Sequence, residues 1–245
     1  MHRTRWRDVA LPVGRHWLVG LVVASALAGA CATNPPLTRQ QCYNPAAQLA
    51  AVLQPFQTSC ASGSTELAAA ECDRLRREIQ RLALVCPSHP STLMANAILA
   101  YDDHQPVVAQ QFLDRILAQP QTYPDGAALR ARIALEEGNL PFAHRLLEQQ
   151  IRVAPDHAGL REAYGAVFFL EGQLQEASEQ LVMAAALGAP GWRIAYHLGL
   201  IDEALGRTDE ARRHFTESLA GNPAWGPAQS HLNGLRAQER GASPP

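Results

Sequence analysis

The chain repeats itself with a period of 34 residues, and this period limits its fold more than any other feature. Glycine recurs at that spacing at Gly138, Gly172 and Gly206. Alanine recurs at the same spacing at Ala109, Ala143, Ala177 and Ala211. A fixed period of this length is typical of solenoids, in which each unit buries its apolar face against its neighbours. Apolar residues at helical spacing within each period predict an all-α solenoid of helix pairs.

The residues inside the period resemble the tetratricopeptide repeat (TPR), a helix–turn–helix unit. The resemblance divides the chain into four repeats, at 90–123, 124–157, 158–191 and 192–225. In the first repeat the resemblance is carried by Leu93, Ala97, Ala100, Ala109, Leu113 and Ile116, and in the second by Ala131, Ala134, Ala143, Leu147 and Pro155. In the third repeat it is carried by Tyr164-Gly165, Phe168, Ala177, Leu181 and Ala184, and in the fourth by Leu198-Gly199, Ala211, Phe215 and Pro223. The resemblance implies a right-handed superhelix. Residues 226–240 are predicted to be a capping helix, and residues 241–245 a disordered tail, which together make the segment 226–245.

Small and large residues at the repeat positions have complementary predicted roles. Gly165 and Gly199 let the two helices of a repeat approach closely, and Leu181 and Phe215 fill the space between neighbouring repeats. The glycines between the helices suit a left-handed C-cap. His104 holds that position in the first repeat, and histidine adopts positive φ more often than most residues do.

Residues 1–30 have the layout of a bacterial lipoprotein signal peptide. A basic segment precedes the uncharged stretch 17–30, whose 14 residues are too few to cross a bilayer as a helix. The string Leu27-Ala28-Gly29-Ala30-Cys31 resembles a lipobox, which implies that Cys31 is acylated, with palmitate among its acyl chains, and begins the mature chain. Residues 31–41 would then be a tether, and alanine at position 32 implies the outer membrane, facing the periplasm. The alternative is an ordinary signal peptide with a chance cysteine.

Four more cysteines follow Cys31, and an even number in an oxidising compartment predicts two disulfides. Residues 44–56 and 66–85 are both predicted to be helices, joined by a turn. Cysteines at opposite ends of one helix are too far apart to bond. The predicted pairs are therefore Cys60–Cys72 near the turn and Cys42–Cys86 at the open end, which makes 42–89 a disulfide-stapled helical hairpin. The alternative, a zinc site, lacks the usual ligand spacing.

Motifs and charge argue against catalysis and nucleic-acid binding. The chain has no nucleophile elbow, zinc-protease motif, P-loop or dinucleotide-binding glycine pattern. Asp102-Asp103-His104 could be imagined as a metal site, but it falls at a predicted turn and is expected to be a solvated loop. Removing residues 1–30 from 21 basic and 23 acidic residues leaves 17 and 22, a net charge of −5 that does not favour nucleic acid. We therefore predict no enzymatic activity, no cofactor and no metal.

In the TPR family the first helix of each repeat lines a concave groove, and positions 2, 5, 9 and 12 commonly face the ligand. The groove residues carried over by position are Met94, Ile98, Tyr101, Arg132, Leu135, Glu162, Phe169, Arg193, Tyr196, Leu200 and Glu203. The resemblance implies a lipid-anchored adaptor that binds other envelope proteins, as in pilus, outer-membrane or cell-wall machinery assembly. One alternative is a structural protein that self-associates and has no separate client. Another is that several of these residues pack between helices.

Overall fold

The computed structural model describes residues 45–59 and 66–242, and within these ranges it contains helices and no strands. The predicted signal peptide, Cys31, the tether, Cys42 and Cys60 lie outside the described residues. The helices are α1 (Pro45–Ser59), α2 (Glu66–Val85), α3 (Pro90–Asp102), α4 (Pro106–Leu117), α5 (Pro124–Glu136), α6 (Leu140–Val153), α7 (Ala158–Leu170), α8 (Leu174–Ala186), α9 (Gly191–Ala204), α10 (Thr208–Gly221) and α11 (Gly226–Ala242). The all-α solenoid predicted from the 34-residue period is confirmed.

Helices α3 to α10 form four pairs, and each pair is joined by a three-residue turn. The middle residue of every turn has positive φ: 55° at His104, 74° at Gly138, 76° at Gly172 and 71° at Gly206. In each turn the residue after it donates its backbone N–H to a carbonyl near the end of the first helix, as Asn139 does to Ala134 over 2.7 Å. This is the six-to-one bond of a Schellman cap. His104 therefore replaces glycine in the same backbone conformation, as the sequence predicts.

The paired helices approach closely where the sequence has glycine. A Cβ atom added at Gly199 would lie 2.7 Å from Cε1 of Phe215, and one added at Gly165 would lie 2.9 Å from Cγ of Leu181. Phe215 and Leu181 are themselves buried. The predicted close approach is confirmed, because the large side chain of the second helix occupies the space that a side chain on the first helix would need. Leu181 and Phe215 also share clusters with Ile194 of α9 and Leu232 of α11, so they pack against the next layer as predicted.

Helices α1 and α2 form a further layer at the start of the solenoid. Leu49, Leu75, Ile79 and Leu82 pack against Leu99 of α3 in one apolar cluster. The junction after α2 is fixed by Thr92, which is fully buried and donates its hydroxyl to the carbonyl of Cys86. The hairpin is thus continuous with the repeats through a shared core.

The disulfide pairing stays a prediction, because Cys42 and Cys60 lie outside the described residues. Cys72 lies within α2 and Cys86 directly follows its end. At 1.5 Å per residue these two cysteines are separated by about 20 Å of helix, so they cannot bond to each other.

The predicted capping helix is α11, and it extends to Ala242, two residues into the segment predicted to be a tail. Its buried residues Ala228, Leu232 and Leu235 pack against Ala211 and Phe215 of α10. No helix in the described ranges is long and apolar enough to cross a membrane.

Candidate functional site

The first helices of the repeats line a groove of about 470 Å³, which we call the groove. Its lining residues come from α1, α3, α5, α7 and α9, and from none of the second helices. They are Leu53, Met94, Ile98, Tyr101, Asp125, Ala128, Leu129, Arg132, Gly159 and Arg193. The side of the solenoid on which the resemblance places a ligand therefore carries a cavity.

The groove opens where two successive first helices separate. The backbones of α5 and α7 pack closely, whereas those of α3 and α5 are farther apart. The connection between α4 and α5 has six residues, compared with four between α6 and α7, between α8 and α9 and between α10 and α11. A hydrogen bond from the Tyr101 hydroxyl on α3 to the Glu136 carboxylate on α5 bridges the gap at one end.

A second cavity of about 280 Å³ continues the groove towards the N-terminal hairpin, and we call it the cleft. Leu53, Met94 and Asp125 line both cavities. The cleft is otherwise lined by Ala46, Leu49, Ala50, Pro90, Ser91, Ile116, Tyr123, Pro124 and Gly126. The three shared residues make the two cavities adjoin, and most of the other side chains that line the cleft are apolar. We therefore describe the cleft as the apolar end of this surface and the groove as its polar end.

A buried ion pair lies at the polar end. The Arg193 guanidinium donates to Oε1 of Glu162 over 2.7 Å, and Nε2 of His197 lies 3.5 Å from the same oxygen. The Glu162 side chain is only 4% exposed. Burial acts to raise the pKa of this carboxyl, but the hydrogen bond with His197 and the charges of Arg193 and Arg132 outweigh it and hold the pKa below its ordinary value. Glu162 is therefore ionised at neutral pH and balances the charge of Arg193.

Arg132 is the cation of the groove that has no carboxylate partner among the described residues. Its guanidinium lies beside the Tyr101 hydroxyl, and burial together with Glu136 raises the pKa of Tyr101 to about 12. The tyrosine hydroxyl is thus protonated at neutral pH. After burial, the positive charge of Arg132 is the next largest cause that lowers the pKa of Arg193. Two arginines therefore lie close enough to repel each other, and only Arg193 is neutralised by a buried acid.

Comparisons with known proteins identify the fold. No family model and no curated protein matches the sequence. Solved structures that resemble it include a thermophilic TPR protein of Thermus thermophilus, with a TM-score of 0.59, 20% identity, and coverage of 76% of this chain and 99% of that one. The Cut9–Hcn1 hetero-tetramer of the APC/C matches with a TM-score of 0.61 and 13% identity, over 82% of this chain and 40% of that one. The human IFIT1 dimer with m7Gppp-AAAA matches with a TM-score of 0.60 and 15% identity, over 72% of this chain and 45% of that one.

The described helices have the TPR fold. At these identities the likeness shows how the chain folds and nothing about what it binds. The ligand side of the TPR solenoid has to be judged from this chain's own residues.

Five of the predicted TPR groove residues line the groove together, namely Met94, Ile98, Tyr101, Arg132 and Arg193. Glu162 lies behind Arg193 as its ion-pair partner. Leu135 and Phe169 are half-buried against the apolar clusters of the second and third repeats.

The other three predicted groove residues of the fourth repeat are in contact with the capping helix and its connection. Tyr196 and Leu200 pack against the cluster that contains Leu232, and the rings of Tyr196 and Trp225 are 5.6 Å apart. Glu203 pairs with Nδ1 of His231 over 2.6 Å. The two adjoining cavities are therefore found in the first half of the TPR solenoid, and their link to the fourth repeat is Arg193.

Sequence reasoning missed several lining residues, for two different reasons. Asp125, Ala128 and Gly159 occupy the same TPR positions, 2 and 5, that gave the other groove residues, so the position rule applied to every repeat finds them. Leu53 belongs to α1, outside the repeats, and no repeat position points to it. Its part in the groove follows only from the packing of α1 beside α3.

The other polar cluster considered from sequence has a structural explanation. Asp102 and Asp103 both pair with Arg76 of α2, at 3.0 and 2.7 Å. Within the described ranges, no group of three or more His, Cys, Asp or Glu side chains is arranged to hold a metal ion.

Proposed function

We propose that this protein is a lipid-anchored, periplasm-facing adaptor of a bacterial cell envelope, which binds a segment of another envelope protein in the groove. The observation that carries the proposal is the pair of adjoining cavities on the first-helix side, in which Arg132 lies beside a protonated Tyr101 and has no carboxylate partner among the described residues. Fixed arginine and tyrosine side chains beside apolar surface are the groups that dominate protein–protein binding energy. The lipid anchor is supported by the lipobox-like residues before Cys31.

The binding part is tested by photo-crosslinking in cells from position 98. Ile98 lines the groove, and its replacement by a photoreactive amino acid places the probe inside the cavity. The same replacement at Val182, which is 59% exposed on α8 and lines neither cavity, is the matched control. We expect one envelope protein to be captured from position 98, not from position 182, and to be lost when Arg132→Glu reverses the charge of the groove.

The crosslinking outcomes separate the alternatives. Capture of a second copy of this chain alone supports the structural, self-associating protein instead of the adaptor. Equal capture from positions 98 and 182 contradicts a specific groove. A partner captured equally by the unaltered protein and by Arg132→Glu contradicts the role given to Arg132.

The anchoring part is tested by Cys31→Ser in the full-length protein. Two or more acyl chains give stable membrane binding, whereas the loss of the acylated thiol removes them all. We expect the protein to sediment with membranes and Cys31→Ser to appear in the soluble periplasmic fraction. Membrane sedimentation that Cys31→Ser leaves unchanged refutes the lipid anchor without touching the groove.

A further inference from the structure

Helix α1 lies outside the repeats but supplies one wall of the cavity system. Ala46, Leu49, Ala50 and Leu53 face the cleft at successive turns of the helix, and Leu53 also lines the groove. Leu49 is buried in the core that joins α1 to α3, so the position of this wall is fixed by packing. The opposite wall of the cleft is formed by residues at the start of α5. The cleft is therefore built jointly by the N-terminal hairpin and the first two repeats.

The chemistry of the two cavities is different and complementary. The cleft has room for a single large apolar side chain between mostly apolar walls, and burial of such a chain is favourable. The groove presents the guanidinium of Arg132, whose planar donors fit a carboxylate. Because Glu162 pairs with Arg193 and no carboxylate among the described residues pairs with Arg132, a ligand carboxylate can bind directly to the Arg132 guanidinium.

The polar residue shared by both cavities, Asp125, favours a peptide over a fatty acid as the ligand. Asp125 lines the cleft and the groove, and its side chain is 81% exposed although one oxygen lies 3.0 Å from His157. Its free acceptor sites suit the backbone N–H groups of an extended peptide that passes from one cavity to the other. An acyl chain has no N–H donor for this carboxylate.

We propose that the ligand is a peptide segment of the partner protein that places one large apolar side chain in the cleft, against α1, and one acidic side chain on Arg132. The N-terminal hairpin is then part of the binding site as well as the first layer of the fold. This inference rests on the proposed function and adds the chemistry of the partner.

A selection from random peptides of about 12 residues, displayed on phage, tests the inference with the full-length protein in detergent micelles. We expect the enriched peptides to share a large apolar residue followed or preceded at short spacing by Asp or Glu. Fluorescence anisotropy of one enriched, labelled peptide then gives the affinity for each variant. Dodecanoate is the competing probe. If this fatty acid binds the same site as tightly as the peptide and displaces it, the choice of a peptide ligand is overturned.

Two matched pairs of variants locate the peptide. Ala50 and Ala51 are both exposed on α1, but only Ala50 lines the cleft. Ala50→Trp fills the cleft and should weaken binding about tenfold or more, whereas Ala51→Trp should change it by less than about twofold. Arg132→Gln should weaken binding about tenfold, whereas replacement of the exposed Arg145 by Gln should not. The effect of Arg132→Gln should vanish for a peptide whose acidic residue is changed to its amide.

The outcomes distinguish this inference from the proposed function. Enriched peptides that bind the Ala50→Trp and Arg132→Gln variants as tightly as the unaltered protein leave the adaptor standing and overturn the inference. If the selection enriches no peptide at all, both the proposed adaptor function and this inference are refuted. Equal melting temperatures of the paired variants show that each loss is a loss of contacts rather than of folding.

Discussion

At the scale of single residues, the close approach of paired helices depends on two glycines that have no room for a side chain. Gly199 faces the ring of Phe215 and Gly165 faces Leu181, and both large side chains are buried and packed on several helices. The aromatic ring cannot rotate away without leaving the cluster that it shares with α11. A methyl group at position 199 must therefore push α9 and α10 apart.

We expect Gly199→Ala to lower the free energy of unfolding by about 1–3 kcal/mol, because overpacking outweighs the better helix propensity of alanine. The measurement is unfolding by urea, followed by circular dichroism. Gly234→Ala is the matched control, since Gly234 lies inside α11 and a Cβ there meets nothing within 4 Å. Gly234→Ala should raise the free energy of unfolding by up to about 1 kcal/mol. Equal effects of both substitutions contradict the close approach.

The buried carboxylate of Glu162 gives the stability a defined dependence on pH. Its pKa is below the ordinary value of 4.5 in the folded protein, because the contacts with His197 and Arg193 outweigh burial. A depressed pKa means that the unfolded chain binds the proton more readily. The stabilisation from this group is therefore present above the unfolded pKa and is lost as the pH falls through the folded pKa.

We expect Glu162→Gln to lower the free energy of unfolding by about 2 kcal/mol at neutral pH. This figure is reduced for solvent screening, because the Arg193 side chain is 27% exposed. The difference from the unaltered protein should shrink as the pH falls below the ordinary value of 4.5 and through the lowered folded pKa of Glu162. Urea unfolding across this range is the measurement. Glu217→Gln, at an exposed carboxylate of α10, should show no such difference at any pH. A cost for Glu162→Gln that is independent of pH argues against the ion pair.

At the scale of the helix, the cap α11 completes the last repeat. Leu232 is 3% exposed and packs with Phe215, whereas Leu205, at the end of α9, is 44% exposed. We expect Leu232→Ala to cost about 2–5 kcal/mol, because it leaves a cavity in the last cluster. Leu205→Ala should change stability by less than about 0.5 kcal/mol. Thermal or urea unfolding of the two variants decides whether α11 is a packed element of the fold.

The sequence predicts these helices well wherever the period operates. The four pairs, their turns and the substitution of His104 for glycine follow from a spacing that repeats, because each repeat has the same local packing problem. The groove is predicted less completely. Leu53 enters it from a helix outside the period, and Tyr196 and Leu200 pack instead against the cap. Both facts depend on how non-repeating helices pack against the repeats, which no spacing encodes.

At the scale of the whole described molecule, the core is a row of separate apolar clusters. Each cluster is built from helices that are neighbours along the chain, from α1 to α3 at one end to α9 to α11 at the other. Stability in such an array is the sum of each unit and its contacts with the next. A local defect should therefore stay local.

We expect Gly199→Ala to speed amide hydrogen exchange in α9, α10 and α11 while exchange in α2 and α3 remains unchanged. The reason is that the defect lies in the last layers, and no cluster among the described residues joins them to the hairpin. Exchange measured by mass spectrometry on peptides from both ends gives the answer. A uniform increase along the chain would show that the solenoid unfolds as a single cooperative unit.

The same row of clusters has a consequence for how the chain acquires its structure. Contacts between neighbours in sequence give a low contact order, and helical proteins of that kind fold in about microseconds to milliseconds. Each helix pair needs only the layer before it as a template, so a chain delivered from its N-terminus can complete one layer while later ones are still extended. Folding would then proceed in the order of synthesis or export, and the α1 wall of the binding site would be in place before the residues of α9 arrive.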